Sequence, residues 1–168
     1  VSPEARVNPD GCTRTLTSSD DLGAALEALP DRGVLCLQAG TYEGGLRLTR
    51  SVTLRGLGEV VVDADDRRAV LDVAVDGIVV VVERVTLTGG SAPSGGALAL
   101  TGRSDVSLRD VRLEGNRARQ GGGGAVYAEQ GTVTLTRCRV QDNEGGKAAG
   151  VLVDSVAELV IEDSLLTG

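Results

Sequence analysis

A sequence pattern of about 26 residues recurs four times between Val80 and the last residue of the chain. Its two clearest copies are VSLRDVRLEGNRARQGGGGAVY, which begins at Val106, and VTLTRCRVQDNEGGKAAGVLV, which begins at Val133. A looser copy begins at Val80 and a fourth at Leu159, so the starting residues are 26, 27 and 26 positions apart. A fixed period in the range of roughly 20–50 residues indicates a repeat architecture, in which each unit buries its apolar face against its neighbours.

Within each copy, aliphatic and polar residues alternate, as they do along a half-buried strand. Four rows of equivalent positions are small or aliphatic in every copy and are predicted to face inward: Val80, Val106, Val133 and Leu159; Val85, Val111, Cys138 and Ser164; Leu87, Leu113, Val140 and Leu166; Ala97, Ala125 and Val151. The repeat has no helical period, and it is too short for a propeller blade. Three short strands per unit therefore predict a parallel β-helix in which equivalent residues stack between coils.

Asparagine and glycine mark the turns of this repeat. Asn116 and Asn143 are 27 residues apart, and each lies five positions after an inward residue. Stacked asparagines hydrogen-bond along a solenoid axis and tolerate left-handed backbone, so we predict a structural turn ladder at these two positions. The glycines that follow, at 121–124 and 145–146, predict a corner.

The chain as a whole is predicted to have two parts. Residues 1–33 are predicted to be an N-terminal arm, irregular over 1–15, and a cap helix, because SSDDLGAALEALP presents an apolar face at Leu22, Ala25, Leu26 and Leu29. Ser19 or Asp20 is the predicted N-cap, and Pro30 follows the predicted helix 19–29. Residues 34–168 are predicted to form the coils of a single domain, truncated at its C-terminal end.

Three cysteines are present, and there is no histidine. Cys12 and Cys36 flank the predicted helix and are candidates for a disulfide that ties down the arm; the alternative is two unrelated thiols. Cys138 occupies an inward row and is predicted to be a buried, inert thiol. Without histidine or a CxxC pair, a zinc site is not expected.

Two segments resemble a known superfamily. PDRGVLCLQAGTYEGGLRLTRSVTLRGLGEVVVDA (30–64) resembles the N-terminal coil of the pectin-lyase-like proteins, and LEGNRARQGGGGAVY (113–127) is similar to the repeats of polymorphic outer-membrane and autotransporter-type passengers. The resemblance covers about residues 16–168. It implies an all-β fold, a right-handed parallel β-helix of about five coils with one short N-terminal capping helix. The superfamily contains lyases, hydrolases, adhesins and inert stalks, so it does not define a function.

This sequence has few of the residues that the enzymes of this superfamily use for catalysis. The hydrolases of the fold use a Gly-His-Gly motif, which a chain without histidine lacks. The lyases use acidic calcium ligands, for which Asp63, Asp65 and Asp66 are a weak candidate set; the alternative is a solvated turn, where aspartate is favoured. No catalytic residue and no cofactor is predicted.

The net charge of −7 disfavours nucleic acid as a partner, and no apolar run reaches the roughly 20 residues that membrane insertion needs. We expect a non-enzymatic structural or adhesive segment of an exported or cell-surface protein, although residues 1–10 lack the features of a signal peptide. The last coil is expected to associate end to end through residues 143–168. A polysaccharide-binding or lyase-like polysaccharide-cleaving module is the alternative function, and a polysaccharide or cell-surface partner is compatible with both.

Overall fold

The computed structural model describes residues 10–168, which wind into a parallel β-solenoid of about five turns with a single short helix. The first nine residues of the predicted arm lie outside this range. In chain order the elements are β1 Arg14–Leu16, α1 Leu22–Ala28, β2 Gly33–Leu37, β3 Gly40–Glu43, β4 Leu46–Arg47, β5 Val52–Gly56, β6 Val60–Asp63, β7 Leu71–Val73, β8 Val79–Glu83, β9 Thr86–Thr88, β10 Ser91–Ala92, β11 Leu98–Leu100, β12 Asp105–Arg109, β13 Arg112–Glu114, β14 Arg117–Ala118, β15 Val126–Thr136, β16 Arg139–Gln141, β17 Glu144–Gly145, β18 Val151–Glu162 and β19 Leu165–Leu166.

Successive coils pair strand on strand, always in parallel. One face stacks β1, β2, β5, β8 and β12, and a second stacks β3, β6, β9, β13, β16 and β19. A third stacks β4, β7 and β11, and a narrow corner sheet stacks β10, β14 and β17. The long strands β15 and β18 serve both the first and the third face, with a register shift after Ala128. The three predicted strands per coil are thus partly fused in the last two coils, and a fourth, two-residue strand is added at the corner.

The inward rows predicted from the alternation form the core. Val80, Val106, Val133 and Leu159 pair in register along the first face. Of these, the first three are at most 1% exposed. Burial of such aliphatic side chains contributes about 1.5–3 kcal/mol each, so these ladders stabilise the stacking of the coils.

One predicted row is wrong at its last member. Val151 pairs with Val126, not with Ala125, whose N–H instead donates to the carbonyl of Gly150 at 2.9 Å. The glycine-rich corner is two residues shorter in the last coil: Ala118 pairs with Gly145, 27 positions later, but Val126 pairs with Val151, 25 positions later. The predicted row is therefore one position out of register.

The N-terminal region is more regular than predicted. Arg14–Leu16, expected at the end of an irregular arm, is strand β1 and pairs with Leu35–Leu37 of β2. The AGTY segment contributes to β3. The buried hydroxyl of Tyr42 donates a hydrogen bond to the carbonyl of Gln38 (2.7 Å) and also lies 3.1 Å from the carbonyl oxygen of Leu16. The first coil is therefore fastened to strand β1 as well as to the helix.

Helix α1 closes the N-terminal end of the core. Leu22, Ala25 and Leu29 are buried against the first coil, as the apolar face predicted. The predicted N-cap is wrong, because Asp21 caps the helix by accepting from the N–H of Ala24 at 2.9 Å. The carboxylate of Asp20 accepts instead from the N–H of Thr17 at 2.8 Å, and this bond lowers the pKa of Asp20.

A disulfide ties the segment before β1 to β2. Cys12 and Cys36 are bonded, with their Cα atoms 5.8 Å apart and both residues buried. The bond closes the loop that contains β1 and α1, so it restricts the unfolded chain around the elements that begin the solenoid.

Replacing both bonded cysteines, Cys12→Ser/Cys36→Ser, should lower the free energy of unfolding by about 2–3 kcal/mol, because the unfolded chain gains loop entropy. Urea unfolding with and without dithiothreitol measures this. Reductant should destabilise the wild type and leave the variant unchanged. Equal stability of wild type and variant in the absence of reductant would contradict the prediction.

Candidate functional site

The aspartate cluster after β6 forms a turn. The carboxylate of Asp63 accepts from the N–H of Asp65 at 2.8 Å, and Asp65 and Asp66 both adopt left-handed backbone, with φ of 53° and 55°. Asp65 also pairs with Arg67 at 3.1 Å. Among residues 10–168, no group of three or more His, Cys, Asp or Glu side chains is placed to hold a metal ion. The three candidate calcium ligands are thus arranged by turn geometry, as aspartates in turns commonly are.

The two asparagines lie on adjacent coils and contact one another. The side-chain amide of Asn116 donates to the Oδ1 of Asn143 at 3.0 Å, and that oxygen also accepts from the backbone N–H of Asn116. The Oδ1 of Asn116 accepts in turn from the N–H of Gly90 at 3.0 Å, one coil earlier. The ladder thus satisfies buried backbone groups across three coils, which is a structural role.

Cys138 is the free thiol of the described chain. It is 3% exposed, and its Sγ–H donates to the carbonyl of Leu108 at 3.2 Å. Burial raises the pKa of the Cys138 thiol, so little thiolate forms near neutral pH.

We therefore expect alkylation of Cys138 by iodoacetamide to be much slower in the folded protein than in urea. The pKa of the Cys138 thiol lies above its ordinary value, so at both pH 7 and pH 8.5 the folded chain should contain less thiolate and react more slowly than the unfolded chain. Mass spectrometry of quenched samples measures both rates. Rapid labelling of the folded protein at pH 7 would contradict the buried placement.

The C-terminal coil, residues 141–168, differs from every earlier coil because none of its residues is buried. Ile161 and Leu166 are 42% and 40% exposed, whereas their register partners Leu135 and Val140, one coil earlier, are both 0% exposed. Within residues 10–168, β18 has a paired strand only on the side of β15. The coil therefore combines an open strand edge with an exposed apolar row, a surface suited to pairing with another strand.

The same coil is acidic. Six carboxylates and one lysine lie in residues 141–168: Asp142, Glu144, Asp154, Glu158, Glu162, Asp163 and Lys147. Glu144 is paired with Arg117 of the preceding coil, and this hydrogen bond raises the pKa of the Arg117 guanidinium. Like charges oppose the approach of a second surface of the same kind, and salt weakens that repulsion.

The geometry defines the class of this protein as a parallel β-solenoid. Comparisons with protein-family models, with curated proteins and with solved structures find no match to this chain. In the part of the chain that the structure describes, no helix is both long and apolar enough to cross a membrane.

Proposed function

We propose that this chain is a non-enzymatic structural or adhesive segment of an exported or cell-surface protein, and that the C-terminal coil is its association surface. The observation that carries the proposal is the contrast between adjacent coils: Leu135 and Val140 are 0% exposed, but their partners in the last coil are 40–42% exposed. A solenoid coil normally buries this row against the next coil or a partner.

Export is supported by the disulfide between Cys12 and Cys36, because such bonds form and persist mainly in oxidising compartments. The motifs at 30–64 and 113–127 support the finer assignment to right-handed, pectin-lyase-like solenoids with autotransporter-type repeats. Both assignments agree with a scaffold displayed outside the cell.

The occupant that we assign to the C-terminal coil is a second copy of this chain. The opposite end of the core is covered by α1, and the apolar residues Leu16, Leu35 and Leu46 of the first coils are at most 6% exposed. One apolar end and one covered end favour a closed tail-to-tail dimer over an open filament. In such a dimer the edges of β18 pair, and Ile161 and Leu166 become buried.

Sedimentation velocity of the 168-residue chain tests this assignment. We expect a monomer–dimer equilibrium that shifts toward dimer as NaCl is raised, because the two acidic coils repel one another less. Ile161→Glu/Leu166→Glu should abolish the dimer, since it buries charge in the interface.

The matched control is Leu57→Glu/Val79→Glu, which places the same charges at residues that are 46% and 49% exposed in other coils. This control should dimerise like the wild type. A strict monomer at all concentrations and salt levels, or equal loss of dimer in both variants, would reject the C-terminal coil as the association surface.

A further inference from the structure

A groove of about 600 Å³ runs along the outside of the third face, between that face and the corner sheet. Its lining includes four arginines, Arg47, Arg67, Arg68 and Arg119, together with Tyr127. The only carboxylates in the lining are those of Asp72 and Glu129. The groove is therefore locally cationic on a chain whose net charge is −7.

Two of these arginines are neutralised by the protein itself. Arg47 pairs with Asp72 at 3.4 Å, and Arg67 pairs with Asp65 at 3.1 Å. In the described residues, by contrast, no carboxylate lies within salt-bridge distance of Arg68 or Arg119. Their guanidinium groups are thus available to a ligand that carries its own negative charge.

The backbone places these two arginines on the same wall of the groove. The carbonyl of Arg68 accepts from the N–H of Ser91 at 3.0 Å, and the N–H of Arg119 donates to the carbonyl of Ala92 at 2.8 Å. Arg68 and Arg119 therefore lie two coils apart, roughly 10 Å along the solenoid axis. The aliphatic part of Arg68 lies against Gly45, where a Cβ would come within 2.6 Å of its Cδ.

The backbones of Arg68 and Arg119 are separated by roughly 10 Å, a spacing that suits an elongated ligand with more than one negative group. Asp72 and Glu129 would repel a polymer that carries a negative charge on every unit. Between the charges the groove is lined by small apolar residues, Ala69, Ala92 and Ala99, and by a single aromatic ring, that of Tyr127. A glycan would usually stack on several aromatic faces. An extended peptide instead presents every second side chain on one face, about 7 Å apart, and can direct two carboxylates toward this wall.

We propose that this groove binds an extended acidic peptide segment, with carboxylates from one face of the peptide on Arg68 and Arg119. This binding site goes beyond the proposed scaffold role and does not depend on the C-terminal coil. Salt should weaken peptide binding, the opposite of its expected effect on dimerisation.

Fluorescence anisotropy tests the proposal with a labelled peptide of roughly ten residues, in which Glu alternates with Ala and Leu. The wild-type chain should bind it saturably, and Arg68→Gln/Arg119→Gln should weaken binding by about tenfold or more, because two charge-assisted contacts are lost. The matched control, Arg112→Gln/Arg139→Gln, removes two exposed, neighbouring arginines of the second face and should bind like the wild type. The same peptide with Gln in place of Glu should not bind.

Three results would overturn the proposal. One is the absence of saturable binding of the Glu peptide, and another is equal weakening in the two double variants, which would indicate nonspecific charge attraction. The third is binding of a labelled oligogalacturonate that requires Arg68 and Arg119 when the peptide does not bind, which would assign the groove to a glycan. Peptide binding can be tested independently of dimerisation, because the groove variants should retain the wild-type monomer–dimer equilibrium in sedimentation.

Discussion

Gly90→Ala is expected to destabilise the protein by more than about 4 kcal/mol or to prevent folding. A Cβ at this position would lie 1.7 Å from the carbonyl oxygen of Gly96 and 2.4 Å from its carbon. Those atoms belong to backbone, and the N–H of Gly90 also holds the Oδ1 of Asn116 at 3.0 Å. Relief of the clash would therefore break the corner and the asparagine ladder together.

Gly150→Ala is the matched control for this substitution. The nearest atom to its added Cβ would be Cγ1 of Val140 at 3.6 Å, an ordinary van der Waals contact. We expect its free energy of unfolding to lie within about 0.5–1 kcal/mol of the wild-type value. Urea unfolding followed by circular dichroism measures both variants. Similar stability of Gly90→Ala and Gly150→Ala would show that the corner is not as tightly packed as described.

Leu108→Ala should lower the free energy of unfolding by about 3–4 kcal/mol. Leu108 is 0% exposed and pairs in register with Val82 and Leu135 on the adjacent coils, both of which are also 0% exposed. The close packing of this ladder leaves little room for collapse, so truncation creates a cavity between coils.

The neighbouring residue gives the control for Leu108→Ala. Ser107 lies on the opposite face of the same strand and is half-buried, so Ser107→Ala should change stability by no more than about 0.5 kcal/mol. Denaturant midpoints and slopes for both variants separate a loss of stability from a change in compactness. Equal effects at 107 and 108 would contradict the inward and outward assignment of this strand.

The sequence was sufficient to predict the coils because the fold is periodic and its core is made of side-chain rows. Val106, Leu108, Val111 and Leu113 alternate with polar residues, and the same alternation recurs in the next copy, so spacing alone aligned the strands. The predicted row is wrong at Val151, because the glycine corner is two residues shorter there than in the preceding coil. The predicted start of the helix is also wrong. Ser19, Asp20 and Asp21 are all common N-cap residue types, and only the backbone geometry shows that Asp21 is the cap.

The two surfaces with proposed roles were not equally visible in the sequence. The association proposed for residues 143–168 was predicted from the repeat, since the inward rows of each copy can be counted along the sequence. The arginine groove could not be predicted in this way, because Arg68 precedes the first copy of the repeat, Arg119 lies in the second copy, and both lie in turns whose lengths vary. Arg68 and Arg119 reach the same wall of the groove because their coils stack, with backbone hydrogen bonds from Ser91 to Arg68 and from Arg119 to Ala92. Because the two arginines are far apart in sequence, no short sequence motif marks this site.

Hydrogen–deuterium exchange at two protein concentrations tests the central claim, a stacked solenoid with one open and associating end. At low concentration, amides of β5, β8 and β12 should be strongly protected and those of β18 and β19 weakly protected. At high concentration, protection should rise in residues 151–166 and stay constant in the N-terminal coils. Strong protection of β18 at every concentration, or a concentration-dependent gain at the end covered by α1, would contradict the account.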